Sequence, residues 1–571
     1  MIAALELVEI SIVAIQAQRR PGNHMSTGGP RPEIGGAAAR TAEREGGGTS
    51  FAQRHRAPAG GAGDDGRNLG HGLMIRLLAP TEEGDCSYPE AELAIVPVDY
   101  FRHAPRLLSP MKSVASSLLL WWCVSALGAS ELSDKCDRLL DGVPRGGLAG
   151  MAVYDLGVNA WLYRHEADQP RTLASTTKSL VAAAALTQLG PQFRFHTQVF
   201  AVGPLAARLQ GLAVVGGGDP CLDGHFNDDE PEKVFADWAE KLKRQGVIAI
   251  DGDVIIDGRL FSGPIRPATY PQDQDNQSRW YSAPASAFAW NDNCIEVRVV
   301  PTRVGERANV EVRPQSSRIQ VVNKALTVAG KGDKAIFVVR DLDLNRVTVT
   351  GNYAAATPWF PVSIRNDPDL LAGDQLKASL QQAGIVVAGQ VRLGPVDPRA
   401  GRLLIDHTSP LVPAVTLMNQ HSQNFYGEQL LRLLGFERFH DGSLVSGSKA
   451  TLLTLKRLVG EHVDEITLLD GSGLSYGNEA TAGVMVEVFS AMHRSPMRDD
   501  FYNSLKERNV GKIQGRVKTG TLAVATCLVG YLDPPSGHRL AFAMLFNRGT
   551  SRDFGWAPKI REQLYRVLAD L

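Results

Sequence analysis

The chain lacks an excess of charge of either sign. Its 60 lysines and arginines stand against 61 aspartates and glutamates, a formal net charge of −1. No global field therefore steers it to nucleic acid or to a membrane surface. Cysteine is scarce, six in 571 residues, and none has the paired spacing of a zinc-ligand set, which argues against a thiolate-built structural zinc. Lysine is missing from the first 110 residues, which hold eleven arginines; the first lysine is Lys112. A hydrophobic content of 44% is that of a globular protein and excludes collagen-like, fully disordered and polytopic membrane chains. At 571 residues, two or three domains are expected.

Gly, Ala, Pro and Arg dominate residues 28–72 without helical or strand periodicity. Such a composition offers too little apolar surface to offset ordering entropy. The apolar stretch 1–17 carries Glu6 and Glu9, and its arginines follow it, so it makes a poor export signal. A better one begins at Met111. Lys112 is followed by the apolar run 113–127 and by the small residues Gly128, Ala129 and Ser130. This is the plan of a secretory signal peptide, too short for a membrane span. Residues 1–110 are therefore expected to be a disordered or non-native upstream extension and 111–129 a signal peptide, with export to the periplasm or cell envelope. In an oxidising compartment Cys136, Cys221, Cys294 and Cys527 permit three full pairings, with buried free thiols as the alternative.

Three short motifs carry chemistry. Ser175-Thr176-Thr177-Lys178 opens an alanine-rich run predicted as a helix over 176–189, stopped by Gly190-Pro191. Positions i and i+3 share a helix face, so the Lys178 amine reaches the Ser175 hydroxyl. Serine is a weak nucleophile without an adjacent base, and lysine serves as one when burial or nearby positive charge lowers its pKa. Ser422-Gln423-Asn424 lies in a stretch read as one amphipathic helix over 414–434, with Ser422 as proton relay and Asn424 as a substrate hydrogen-bonder. Lys518-Thr519-Gly520-Thr521 supplies a cation, hydroxyls and a glycine that allows close approach to an edge strand. There Lys518 and Thr519 would hold a peptide carboxylate, and the Thr521 and Ser175 N–H groups would form an oxyanion hole. Each motif alone is weak evidence; their joint occurrence in this order is much stronger.

The rest of the chain reads as follows. Residues 151–154 and 160–163 form a strand pair, and short β-rich runs follow from about 194 to 361. Helices are expected over 370–383, near 483–493 and over 552–571, with a hairpin over 527–532 and 539–547. Motifs on both sides of the β-rich stretch must converge. The expectation is thus a discontinuous catalytic domain of residues 130–197 and 370–571, interrupted by an inserted domain or domains over 198–369.

With these motifs the chain resembles the low-molecular-mass class C penicillin-binding proteins, serine D-alanyl-D-alanine carboxypeptidases and endopeptidases. The resemblance covers roughly Gly146 to Leu571. It is carried also by Gly216-Gly217-Gly218-Asp219-Pro220, Tyr281-Ser282-Ala283-Pro284, Asn291-Asp292-Asn293 and Asp470-Gly471-Ser472-Gly473-Leu474-Ser475. It implies the α/β (α+β) serine penicillin-recognising fold, an antiparallel sheet with flanking helices interrupted by a large β-rich insertion. It implies an acyl-enzyme on Ser175 with Lys178 as base, proton relay by Ser422, and substrate binding by Asn424, Lys518, Thr519, Gly520 and Thr521. The implied partners are peptidoglycan stem peptides and β-lactams, with room for peripheral membrane or wall-machinery contacts and no nucleic acid; no metal or organic cofactor is implied. Two positions depart from the family pattern. Gln423 stands where Asp is frequent. Tyr476 stands where an arginine often clamps the free carboxylate of a diaminopimelate side chain, and Asp275 is a loose candidate for its amine. A β-lactamase shares the serine–lysine chemistry but normally lacks so large an insertion, and a non-catalytic wall-binding or penicillin-sensing protein would not need all four of Ser175, Lys178, Ser422 and Lys518.

Overall fold

The computed structural model describes residues 131–332, 337–341, 344–399 and 401–571. The expected extension over 1–110 and signal peptide over 111–129 lie outside the described residues. Among the described residues, no helix is long and apolar enough to cross a membrane.

A six-stranded antiparallel sheet organises the catalytic half. Its order is Ala160–His165, Leu148–Asp155, Leu540–Asn547, Ala525–Asp533, Gln514–Leu522 and Lys506–Glu507. The strand 540–547 is apolar almost throughout because both faces are covered. Phe542, Met544 and Phe546 face one layer with Met151 and Val153, against the closing helix Trp556–Ala569 and helical residues 131–140. Ala541, Ala543 and Leu545 face the other, against the helices Thr177–Leu189 and Ala482–Arg494. Period-two alternation thus divides one run of side chains between two cores.

The helix Thr177–Leu189 is buried from Thr177 to Leu186. Its alanines leave room for the helices Asn424–Phe439 and Leu444–Val459 to pack against it. Cys136, Cys221 and Cys527 are buried thiols outside any disulfide. Burial pushes the Cys136 and Cys527 thiols up to about 12, so they are inert at neutral pH.

A second sheet runs in the order Val391–Leu393, Val254–Asp257, Gly211–Val215, Arg194–Val202 and Arg402–Pro410. The strand 194–202 pairs with both 211–215 and 402–410. The expected boundary at 197/198 therefore falls inside a strand. The other expected boundary, at 369/370, falls inside the helix Pro368–Gln382, whose Ala372, Leu376 and Leu380 share a core with Val199, Leu212 and Ile256. Smaller sheets follow, including Cys294–Val300 between Asn309–Arg313 and Phe360–Ser363.

The second core contains a helix that the β-rich reading missed, Glu232–Arg244. Its signal is present in the sequence: Val234, Phe235, Trp238, Ala239 and Leu242 recur at helical spacing and are all buried. Trp238 is fully buried, stacks over Phe288 at 6.2 Å and donates its indole N–H to His407 Nδ1 at 3.1 Å. Trp238→Ala is expected to cost about 3–5 kcal/mol in urea unfolding. A loss under about 1 kcal/mol would show that this core does not fold as one unit with the rest.

Candidate active site

The first motif sits on a turn held from two sides. Ala174 adopts a left-handed φ of 49°, and residues Ala174–Thr176 form a 3-10 turn that lifts Ser175 to a half-exposed position before the helix begins. Two glycines press on that turn. A Cβ on Gly520 would lie 2.6 Å from the Leu173 carbonyl oxygen, and one on Gly473 only 1.9 Å from that of Ala174. The Thr176 and Thr177 hydroxyls donate back to Leu173 O and Ala174 O at 2.6 and 2.8 Å. The backbone under Ser175 is therefore fixed by its own turn and by the two glycines that press on it.

Lys178 is fully buried one turn below. Its Nζ lies 3.2 Å from Ser175 Oγ and 2.6 Å from Asn424 Oδ1, and it also donates to the Ser472 carbonyl. Burial pushes its pKa down to about 7, against the pull of the Asp470 and Glu428 carboxylates. In the neutral amine the two hydrogens go to Asn424 Oδ1 and Ser472 O. With two hydrogens so placed, the remaining position on Nζ is the one toward Ser175 Oγ, which a lone pair would occupy in the neutral amine.

The second motif differs from its sequence reading. The helix expected over 414–434 is two helices, Leu411–Gln420 and Asn424–Phe439. Between them Ser422 adopts a left-handed φ of 58°. The Ser422 hydroxyl accepts from Lys518 Nζ at 2.9 Å, a contact across 96 residues that a continuous helix would not present. Asn424 opens the second helix. Its oxygen is taken by Lys178, and its amide donates to Tyr281 O at 2.8 Å, so it joins the base to the Tyr281 segment.

The third motif lies on the strand Gln514–Leu522. Lys506–Glu507 pairs with Val517 and Arg516, and among the described residues no strand pairs with this edge from Lys518 onward. Lys518 is buried, and its pKa falls well below the ordinary lysine range through burial and the nearby Lys178 and Lys506 charges. It donates to Ser422 Oγ and to Thr519 O at 2.8 Å. Gly520 lies against the Ser175 turn, with Thr519 half-buried and Thr521 exposed along the same edge. All three motifs thus meet at one place.

Three further residues support the site. Asp470 is fully buried and collects the N–H groups of Ser472, Gly473 and Ser475 at 2.6–2.9 Å, folding the loop that presents the Ser472 carbonyl to Lys178. Glu428 accepts from Gly471 N and Ser472 N at 3.1 Å each and from the Tyr270 hydroxyl at 2.8 Å. Burial, with the Asp470 charge beside it, raises Glu428 to about 7. The loop motif was visible in the sequence without a role. Glu428 and Tyr270 had no signal, because their use depends on contacts 43 and 158 residues apart. Tyr476 projects to solvent at 45% exposure, and Asp275 is paired with Arg279 at 2.8 Å.

An antiparallel sheet with flanking helices, a serine at a helix start and two buried lysines around it define an active-site-serine peptidase of the penicillin-recognising fold. Comparison with known proteins carries this further. The model of the D-Ala-D-Ala carboxypeptidase 3 (S13) family matches residues 132–571, and the chain belongs to that family. It is 29% identical over 473 residues to a D-alanyl-D-alanine carboxypeptidase of Actinomadura sp. strain R39, covering 77% of this chain and 85% of the relative. It is 26% identical over 450 residues to the D-alanyl-D-alanine carboxypeptidase DacB of Haemophilus influenzae, covering 75% of this chain and 89% of the relative. The crystal structure of penicillin binding protein 4 (dacB) from that organism matches with a TM-score of 0.64 at 24% identity, over 76% of this chain and 99% of that one. The fold is therefore that of penicillin binding protein 4.

Proposed function

We propose that this serine peptidase hydrolyses D-alanyl peptide bonds of peptidoglycan through an acyl-enzyme on Ser175. Lys178 takes the hydroxyl proton as Ser175 Oγ attacks the carbonyl between two D-alanines. The oxyanion is held by the Ser175 and Thr521 N–H groups. Ser422, in contact with Lys518, passes a proton to the departing amine. Lys518 and Thr519 hold the carboxylate of the leaving residue, the peptide lies along the open strand edge beside Gly520, and Asn424 keeps the base in place. Water then releases the acyl group. A β-lactam enters the same pathway and stays as the acyl-enzyme. Among the known relatives, the Haemophilus protein has been seen complexed with a β-lactam. The observation that carries this reading is the buried Lys178 amine, 3.2 Å from Ser175 Oγ and held at the same time by Asn424 Oδ1 and the Ser472 carbonyl.

The proposed chemistry supports a location where peptidoglycan is, the periplasm or cell envelope. The run 111–129 supports export. The proposed inserted unit spans about 194–410, the stretch bounded by the two paired strands. Purified muropeptides test the activity directly. Release of terminal D-alanine reads as carboxypeptidase and cleavage of cross-linked dimers as endopeptidase. Unchanged muropeptides of both kinds, with protein that still takes up labelled penicillin, would overturn the peptidase reading.

A further inference from the structure

A cavity of about 370 Å³ opens behind the second motif, lined in part by Asp223, His225, Asp292 and Gln423. Asp223 and His225 lie in the loop after the strand 211–215, and Asp292 lies in the turn before Cys294–Val300. The potential ligand atoms of these three residues all lie within 4.8 Å of one another. Gln423 reaches the group from the helix break, between Ser422 and Asn424.

The polar atoms here do not satisfy one another. Asp223 is 1% exposed; its Oδ2 accepts from the Tyr426 hydroxyl, while its Oδ1 is buried without a hydrogen-bond partner. Asp292 Oδ1 and Gln423 Oε1 are also buried without partners, and Gln423 is only 7% exposed. His225 Nε2 faces two groups, the Gln423 amide nitrogen at 3.1 Å and Asp292 Oδ2 at 3.4 Å. A proton on Nε2 suits the aspartate and opposes the amide. A lone pair suits the amide and opposes the aspartate. Turning the amide over only exchanges which of its atoms is left unpaired. Neither neutral histidine tautomer satisfies both the amide and the aspartate, and a positive ion among these oxygens and the nitrogen does; a proton shared by Asp223 and Asp292, whose side chains lie within hydrogen-bonding reach, is the competing outcome.

The donor set selects the ion. One imidazole nitrogen with carboxylate oxygens suits zinc and its neighbours better than magnesium or calcium, which take all-oxygen shells. A single ion about 2.1 Å from each donor needs only small side-chain shifts from the present spacing. His225 is about one-third exposed at its side chain, so the cavity gives an ion a way in.

We propose that Asp223, His225 and Asp292 form a site for one divalent transition-metal ion of the zinc class, with the Gln423 carboxamide oxygen or a water completing the shell. The ion ties two loops of the inserted unit to the break that carries Ser422. It takes no part in the reaction and is independent of the peptidase reading.

The test uses the full chain, stripped with a chelator and titrated with Zn²⁺ in a calorimeter. One ion per chain is expected, with a rise in Tm on binding. His225→Ala and Asp292→Asn are each expected to weaken uptake by about 10–100-fold. Both changes are small and partly exposed, and far-UV circular dichroism checks that each variant folds. Co²⁺ substitution adds a visible d–d spectrum that His225→Ala should abolish. No stoichiometric uptake by the stripped wild type, or uptake and spectrum unchanged in both folded variants, would overturn the site. The readout needs no substrate, so it stands or falls separately from the activity.

Discussion

Ser175→Ala is expected to take no covalent label from a fluorescent penicillin, and Lys178→Met to be acylated about 10³–10⁴-fold more slowly than wild type. In the proposed mechanism, the first removes the attacking atom. The second removes the acceptor of its proton while filling the same buried volume, so the turn and helix are kept. The pH dependence separates the two roles. Lys178 acts as base only when neutral, and burial holds its pKa at about 7. The wild-type acylation rate is therefore expected to rise with pH through about 7 and level off above it. The residual rate of Lys178→Met should lack that step. A step that persists in Lys178→Met would move the base to another residue, and labelling that survives Ser175→Ala would move the nucleophile.

Gly473→Ala is expected to lower acylation by about 100-fold, because displacing a reacting atom by an ångström costs on that order. Gly473 has a φ of 81°, and a Cβ there would stand 1.9 Å from the Ala174 carbonyl oxygen and 3.0 Å from Ser175 N. The obstacle is backbone, so the turn under Ser175 must move. Gly263→Ala is the control. Its φ of 73° imposes a similar left-handed penalty, but no atom lies within 4 Å of the added carbon. Both variants should lose stability by about 1 kcal/mol from backbone strain, and only Gly473→Ala should lose labelling beyond that. Equal labelling of the two would show that contact with Gly473 does not position Ser175.

Much of the site was legible because its chemistry is local. Ser175 and Lys178 are one helical turn apart, so their contact follows from periodicity alone. The order of the three motifs, the strand pair 148–155 and 160–165, and the closing helix were likewise readable from pattern. The break at Ser422 was not. His421, Ser422 and Gln423 include no glycine or proline, and a left-handed serine is disfavoured locally. It is held by tertiary contacts, including the hydrogen bond from Lys518. Nor was the partner of the strand 194–202 legible, because it reads the same whichever sheet it joins, and only the fold pairs it with 402–410.

The sequence by itself pointed to the family and to Ser175 and Lys178 as the proposed nucleophile and base, since these readings depend on residue type at short, regular spacing. The tertiary structure decided what state those residues are in. Lysine has a high pKa in water, and nothing in Ser-x-x-Lys lowers it. Complete burial does so, beside a loop folded on Asp470 and a helix turned by Ser422. Desolvation depends on the whole surrounding volume, and that volume is assembled from segments nearly 300 residues apart along the chain.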